Sequence, residues 1–132
     1  MNQELLTELF KTDQALLDKF HILAPNSAEV CAEKTYNDLV ANKVDIHLIE
    51  KNNEVVGYYG IEGKSFLTGF FLKPEHRNKE MIEYFWTAVN THFTKDFYVG
   101  LYQKNTRAID FINKKAISKY EFNDSVFLKV RR

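Results

Sequence analysis

The clearest arrangement of residues with chemical potential in this chain is one that binds. The stretch Ser65–Thr94, SFLTGFFLKPEHRNKEMIEYFWTAVNTHFT, opens on an apolar run from Phe66 to Leu72, breaks at Lys73-Pro74-Glu75-His76-Arg77, and resumes from Asn78 with a different period. A strand that passes through a short loop into a helix N-terminus aims free backbone N–H groups at one spot, which makes a physical anion site. Lys73, Arg77, Lys79, Lys104, Arg107, Lys114 and Lys115 cluster around the two loops on that side. Such a cluster suits a phosphate-binding rim and a solvated helix face equally.

Other familiar constellations are missing. His21, His47, His76 and His92 show no metal-ligand spacing, so no metal is expected. No Ser-His-Asp or Cys-His order stands out. Cys31 has no His or second Cys near it in sequence and fits a plain buried thiol. Glu62, Tyr58 and Tyr59 lie on or near the strand before the organising one and could act through water, although each also has an ordinary structural reading.

These groups need elements to position them. Phe66–Leu72, broken only by Thr68 and Gly69, fits a strand buried on both faces in the middle of a sheet. Ile82, Phe85, Trp86, Val89 and Phe93 make one stripe of a helix that Asn78 would cap. Upstream, Asp45–Glu50 and Glu54–Ile61 form a hairpin across Asn52-Asn53, and Gly60 with Glu62-Gly63-Lys64 turns into the central strand. Downstream come a second apolar strand, Phe97–Tyr102, and a helix, Asn105–Lys115, with Ala108, Phe111 and Ile112 inward. Ile117–Phe122 and Val126–Val130 close the chain as a hairpin. Two strands joined by a helix run parallel, so Phe66–Leu72 and Phe97–Tyr102 should be adjacent, parallel and central.

The first third is less decided. Glu4–Phe10 suits a short edge strand or the start of a helix. Asp13–Leu23 places Leu16, Leu17, Phe20 and Leu23 on one side of a short helix. Asn26 and Glu29 have capping-box spacing for the next one, with Ala32, Tyr36, Leu39 and Val40 inward.

Composition sets the outer bounds. A chain of 132 residues, 45% apolar and 14% aromatic, is one domain with a single proper core. Eighteen basic residues balance eighteen acidic ones, so no global field draws it to nucleic acid or a membrane. One cysteine, no charged-then-apolar leader and no run of spanning length together suggest a cytoplasmic protein. The aromatic surplus, including Phe127 opposite the Val126/Leu128/Val130 face, suggests a homodimer through the terminal hairpin.

Two motifs resemble a known family. FFLKPEHRNKEMI is similar to the acetyl-CoA loop of the GCN5-related N-acetyltransferases, and Asn105-Thr106-Arg107-Ala108-Ile109 resembles their Asn-x-x-Ala-Ile helix start. With Val55-Val56-Gly57-Tyr58-Tyr59 before them, the resemblance covers roughly residues 44–130. It implies an α/β domain on a mixed, mostly antiparallel sheet whose two central parallel strands splay apart to admit acetyl-CoA. Phe70, Phe71 and Leu72 would offer their backbone edge to the cofactor's arm. Arg77, Asn78, Lys79, Glu80, Met81 and Ile82 would form the phosphate loop, and Asn105 would lie near the arm. The implied activity is acetyl transfer to an amine, on a small molecule or a protein, by direct attack without a covalent enzyme intermediate.

The sequence departs from the family at named places. The loop's first glycine is Glu80 and its second small residue is Ile82. The tyrosine that protonates the leaving thiolate is replaced by Ile112, and a Gly-Phe pair by Ala116-Ile117. Tyr102 and Tyr120 are then the candidate acids, with Glu62 a candidate base. A non-catalytic descendant that binds a protein partner, for example in phage or virion assembly, is the alternative these departures keep open.

Overall fold

The computed structural model describes residues 1–13 and 28–132. Among the described residues two helices come first, α1 (Gln3–Phe10) and α2 (Ala28–Ala41), followed by strands β1 (Asp45–Lys51), β2 (Glu54–Glu62) and β3 (Phe66–Leu72). Helix α3 (Lys79–Thr91), β4 (Phe97–Tyr102), α4 (Thr106–Asn113), β5 (Ala116–Phe122) and β6 (Ser125–Val130) complete the order. Among the described residues the six strands form one sheet, β1-β2-β3-β4-β6-β5, antiparallel except where β3 meets β4. The two apolar strands of the sequence are thus the parallel central pair, with α3 crossing between them in the chain.

Local chemistry explains the boundaries. Asn52 and Asn53 both adopt positive φ, 53° and 64°, the conformation a tight hairpin needs and asparagine tolerates. Asn78 caps α3 by accepting a hydrogen bond from the Met81 amide at 2.9 Å. Asn2 caps α1 in the same way through the Leu5 amide at 2.8 Å, which settles Glu4–Phe10 as helix.

Helices cover both faces of the sheet, giving two apolar clusters. One joins Phe85, Trp86 and Val89 of α3, with Phe93 and Ile112, to β-strand residues such as Leu67, Val99 and Leu128. Phe93 and Phe97 stack at 3.9 Å inside it. The other packs Leu6, Leu9 and Phe10 of α1 and Ala28, Cys31 and Ala32 of α2 on Tyr58 and Phe71. Val126, Leu128 and Val130 all point into the first cluster.

Four expectations shift. Val40 is 59% exposed, because the buried face of α2 centres on Cys31, Ala32 and Leu39 and position 40 turns past its edge. Met81 is buried at the start of α3 while Ile82 is only half-buried. Gly60 and Glu62 belong to β2 and not to the turn after it. Strand β3 is buried at Leu67, Phe71 and Leu72 but only half-buried from Thr68 to Phe70. The break in the apolar run at Thr68-Gly69 is therefore the mark of an open groove. The helix read over Asp13–Leu23 and the cap at Asn26 lie outside the described residues, apart from Asp13 itself.

Candidate active site

A single extra residue opens the sheet. In the β2–β3 ladder Gly60 faces Gly69 and Ile61 faces Leu67, so Thr68 is left over as a β-bulge. A bulge bends its strand and ends regular pairing. Phe66 pairs with Tyr98 and Leu67 with Val99, and the β3–β4 ladder stops there. Beyond Leu67 the β4 side of β3 has no strand partner, and a groove of about 450 Å³ occupies the gap. Its walls include Phe66, Thr68, Gly69 and Phe70 of β3, Gly100, Leu101 and Tyr102 of β4, and Asn105 and Phe127. Phe127 lies edge-on to Phe66 at 6.1 Å, which places it at the groove.

At the far end of β3 the chain enters α3. The side chain of Asn78 takes the Met81 amide and its carbonyl takes the Ile82 amide, so those two N–H groups are occupied. The amides of Lys79 and Glu80 have no acceptor among the described residues. They point from the positive end of the helix dipole. Glu80 is exposed in this first turn, where its carboxylate complements the dipole.

Arg77 turns away from that spot. Its guanidinium pairs with Asp13 at 2.7 Å, donates to the Leu72 carbonyl at 2.6 Å, and sits 5.3 Å from the centre of the Phe71 ring. Lys73 pairs with Glu54 at 2.8 Å, and that hydrogen bond holds the Glu54 carboxyl below its usual range. Lys115 lies over the rings of Trp86 and Phe111. Of the seven basic residues around the loops, Lys79, Lys104, Arg107 and Lys114 remain exposed without an ion pair among the described residues.

The groove gathers some predicted residues and not others. Glu62, Tyr102, Phe70 and Asn105 line it. Phe71 and Leu72 have buried side chains, and the Leu72 carbonyl already accepts from Arg77. Tyr120 is 55% exposed on the edge strand β5 and is not part of the groove wall. Ile112 is 1% exposed in the α3 core, so a tyrosine there would overpack that core. Tyr58 is the more telling residue. Its side chain is 3% exposed, it lines the groove, and burial pushes its phenol well above the usual tyrosine range. It keeps its proton at any ordinary pH.

A second cluster had no signal in sequence spacing. His47, Tyr59 and His92 come together on the α3 face although they lie on β1, β2 and the end of α3. The two imidazoles are 4.2 Å apart, and the Tyr59 hydroxyl is 2.8 Å from His92 Nε2. Burial, then the neighbouring His92, lowers the His47 pKa. Cys31 is buried, and burial pushes its thiol up, which suits an inert core position. Among the described residues no group of three or more His, Cys, Asp or Glu is placed to hold a metal ion, and no helix is long and apolar enough to cross a membrane.

The chain as a whole is similar to solved structures of acetyltransferases. No protein-family model matches the sequence, and no curated protein matches it. An acetyltransferase from Thermus thermophilus matches over 98% of this chain and 89% of its own, with TM-score 0.68 and 16% identity. The PaiA N-acetyltransferase from Thermoplasma acidophilum, solved with coenzyme A, matches over 98% and 92% with TM-score 0.69 and 12% identity. A GNAT family acetyltransferase from Elizabethkingia anophelis with acetyl-CoA bound matches over 76% and 83%, with TM-score 0.52 and 11% identity. This chain has the fold of the GCN5-related N-acetyltransferases.

Proposed function

We propose that this protein is an acyl-CoA-dependent N-acyltransferase that moves an acetyl group from acetyl-CoA to an amine. The observation that carries the reading is the end of β3–β4 pairing at Leu67, which leaves a groove beside β3, the strand that runs on through the Pro74–His76 turn into α3. A volume of about 450 Å³ falls within the usual range of small-molecule sites, roughly 300–1,000 Å³. The unpaired edge of β3 can pair with an amide-bearing arm as an added strand would. The Lys79 and Glu80 amides suit a pyrophosphate, with Lys79, Lys104 and Arg107 nearby in sequence to the two loops. Acetyl-CoA would supply an acyl thioester there.

The protein's part in the reaction is positioning and proton handling. The acceptor nitrogen attacks the thioester carbonyl carbon; the C–N bond forms, the C–S bond breaks, and a proton leaves nitrogen as one reaches sulfur. Glu62, one of two carboxylates in the groove wall with Asp38, is the candidate to take the amine proton, directly or through water. Tyr102, at the end of β4, is the hydroxyl in the wall best suited to serve the leaving thiolate. Tyr120 lies away from the groove and takes no part in this scheme.

Calorimetric titration with acetyl-CoA tests the reading, in the wild type and in Glu80→Gly. The exposed carboxylate at position 80 opposes a pyrophosphate on the same turn. Removing one such charge at an effective dielectric near 20 is worth on the order of 1–3 kcal/mol, so Glu80→Gly should bind more tightly. Losing the acidic residue at the helix start and adding a glycine should lower stability by about 1 kcal/mol. Acetyl-CoA binding in neither form would remove the acyltransferase reading and favour a partner-binding role for the fold.

A further inference from the structure

The described wall of the groove holds two carboxylates and no basic side chain. Asp38 of α2 and Glu62 at the end of β2 line it, and neither forms an ion pair or side-chain hydrogen bond among the described residues. The chain as a whole is neutral, so this acidity is local. It lies on the α1/α2 side of the sheet, with Tyr58 and the aromatic rings of Phe10, Phe66 and Phe127 around it.

Tyr58 is a second and independent sign of a ligand. Its side chain is only 3% exposed, and its hydroxyl has no hydrogen-bond partner among the described residues. That hydroxyl reaches the part of β3 that has no β4 partner, 4.0 Å from where a Cβ on Gly69 would stand. A tyrosine whose ring is buried and which lines a cavity without a bonded hydroxyl can offer that hydroxyl to a polar atom of whatever fills the cavity. Its retained proton lets it donate, and its lone pairs let it accept from an ammonium.

We infer that the groove selects a positively charged acceptor: a primary amine carrying a second cationic centre a few carbons away, held by Asp38 and Glu62 with Tyr58 hydrogen-bonding from the floor. This deepens the acyltransferase reading and rests on it. The aromatic walls favour the same occupant, because ring faces attract alkylammonium groups while their apolar surface covers the linking methylenes. An acceptor ending in a carboxylate would meet two like charges and no basic partner from the described wall.

Three acceptors of matched length separate the outcomes: 1,5-diaminopentane, pentylamine and 5-aminopentanoate. With acetyl-CoA saturating, the diamine should show kcat/KM at least about tenfold above pentylamine, and 5-aminopentanoate should be the poorest. Asp38→Asn should collapse the diamine-to-pentylamine ratio toward one. Tyr58→Phe, which removes only an oxygen, should raise KM for the diamine. A ratio near one in the wild type, or good turnover of 5-aminopentanoate, would overturn the cation preference while leaving acyl transfer intact. If acetyl-CoA does not bind at all, the acyltransferase reading falls by itself. The preference is then read from amide NMR titration of the free protein with the diamine and with pentylamine. Larger shifts at Asp38, Tyr58 and Glu62 with the diamine uphold it; equal shifts, or none, overturn it.

Discussion

Gly69 offers the sharpest test of where a ligand lies. It sits on the part of β3 that has no β4 partner and lines the groove, and a Cβ built there meets nothing nearer than Tyr58 Cε2 at 3.9 Å and the Tyr58 hydroxyl at 4.0 Å. Gly57, on β2, is the opposite case: a Cβ there would stand 2.2 Å from the Phe71 carbonyl oxygen, a backbone atom that cannot step aside. Glycine to alanine should therefore change sign between two positions on neighbouring strands. Gly69→Ala should stabilise by about 0.5–1 kcal/mol, the usual cost of glycine in a strand interior. Gly57→Ala should destabilise by about 1–3 kcal/mol, as overpacking does. Gly69→Leu then places a side chain in the groove of a protein that still folds. If the arm of acetyl-CoA runs along β3, the leucine competes for the same volume, and a clash of about 1–3 kcal/mol weakens binding roughly 5- to 150-fold. Denaturant melts and acetyl-CoA calorimetry on the same samples read both effects. A Gly69→Leu protein that is as stable as wild type and binds acetyl-CoA equally well would refute the placement of the ligand in this groove.

Two further outcomes follow from packing and titration. Trp86 is 8% exposed and touches Phe97 and Phe111, so Trp86→Ala should cost about 3–5 kcal/mol in denaturant melts; a loss under about 1 kcal/mol would mean the stripe does not carry the core. His47 has its folded pKa lowered by burial and by His92, with Asp45 acting the other way, so the unfolded chain binds its proton first. Stability from this group is present above the unfolded pKa near 6.5 and is lost as pH falls through the lower folded value. His47→Phe should flatten that part of the pH–stability curve, and an unchanged slope would reject the assignment.

What the sequence revealed followed from what carries a period. The α3 stripe, the alternation of Val126, Leu128 and Val130, the Asn52-Asn53 turn and the Asn78 cap each have a local signature, and local geometry decides them. Pairing across the chain has none. The His47–His92 contact joins residues 45 positions apart in sequence through the β1–β2 register and the end of α3, and spacing alone could not bring them together. The same holds for Arg77, whose charge suggested phosphate until Asp13 and the Leu72 carbonyl claimed it. Two residues in the middle of an apolar run did carry a signal. Thr68 and Gly69 were legible as interruptions, but only the ladder shows that one is a bulge and the other a groove wall.

Arg77 also explains how a loop without the usual glycines can keep a usable shape. A glycine-rich loop lets backbone approach an anion closely and relies on the helix start to order it. Here the 3₁₀ turn at Pro74–His76 and the guanidinium of Arg77 hold the loop from behind: one contact to Asp13, one to the Leu72 carbonyl and one to the Phe71 ring. Those contacts tie the end of β3, the start of α3 and the segment after α1 into one unit, so the free amides of Lys79 and Glu80 are ordered before any ligand arrives. Preorganisation lowers the entropy lost on binding. It offsets part of the repulsion from Glu80, whose carboxylate is exposed and can turn to solvent while its amide stays at the helix end.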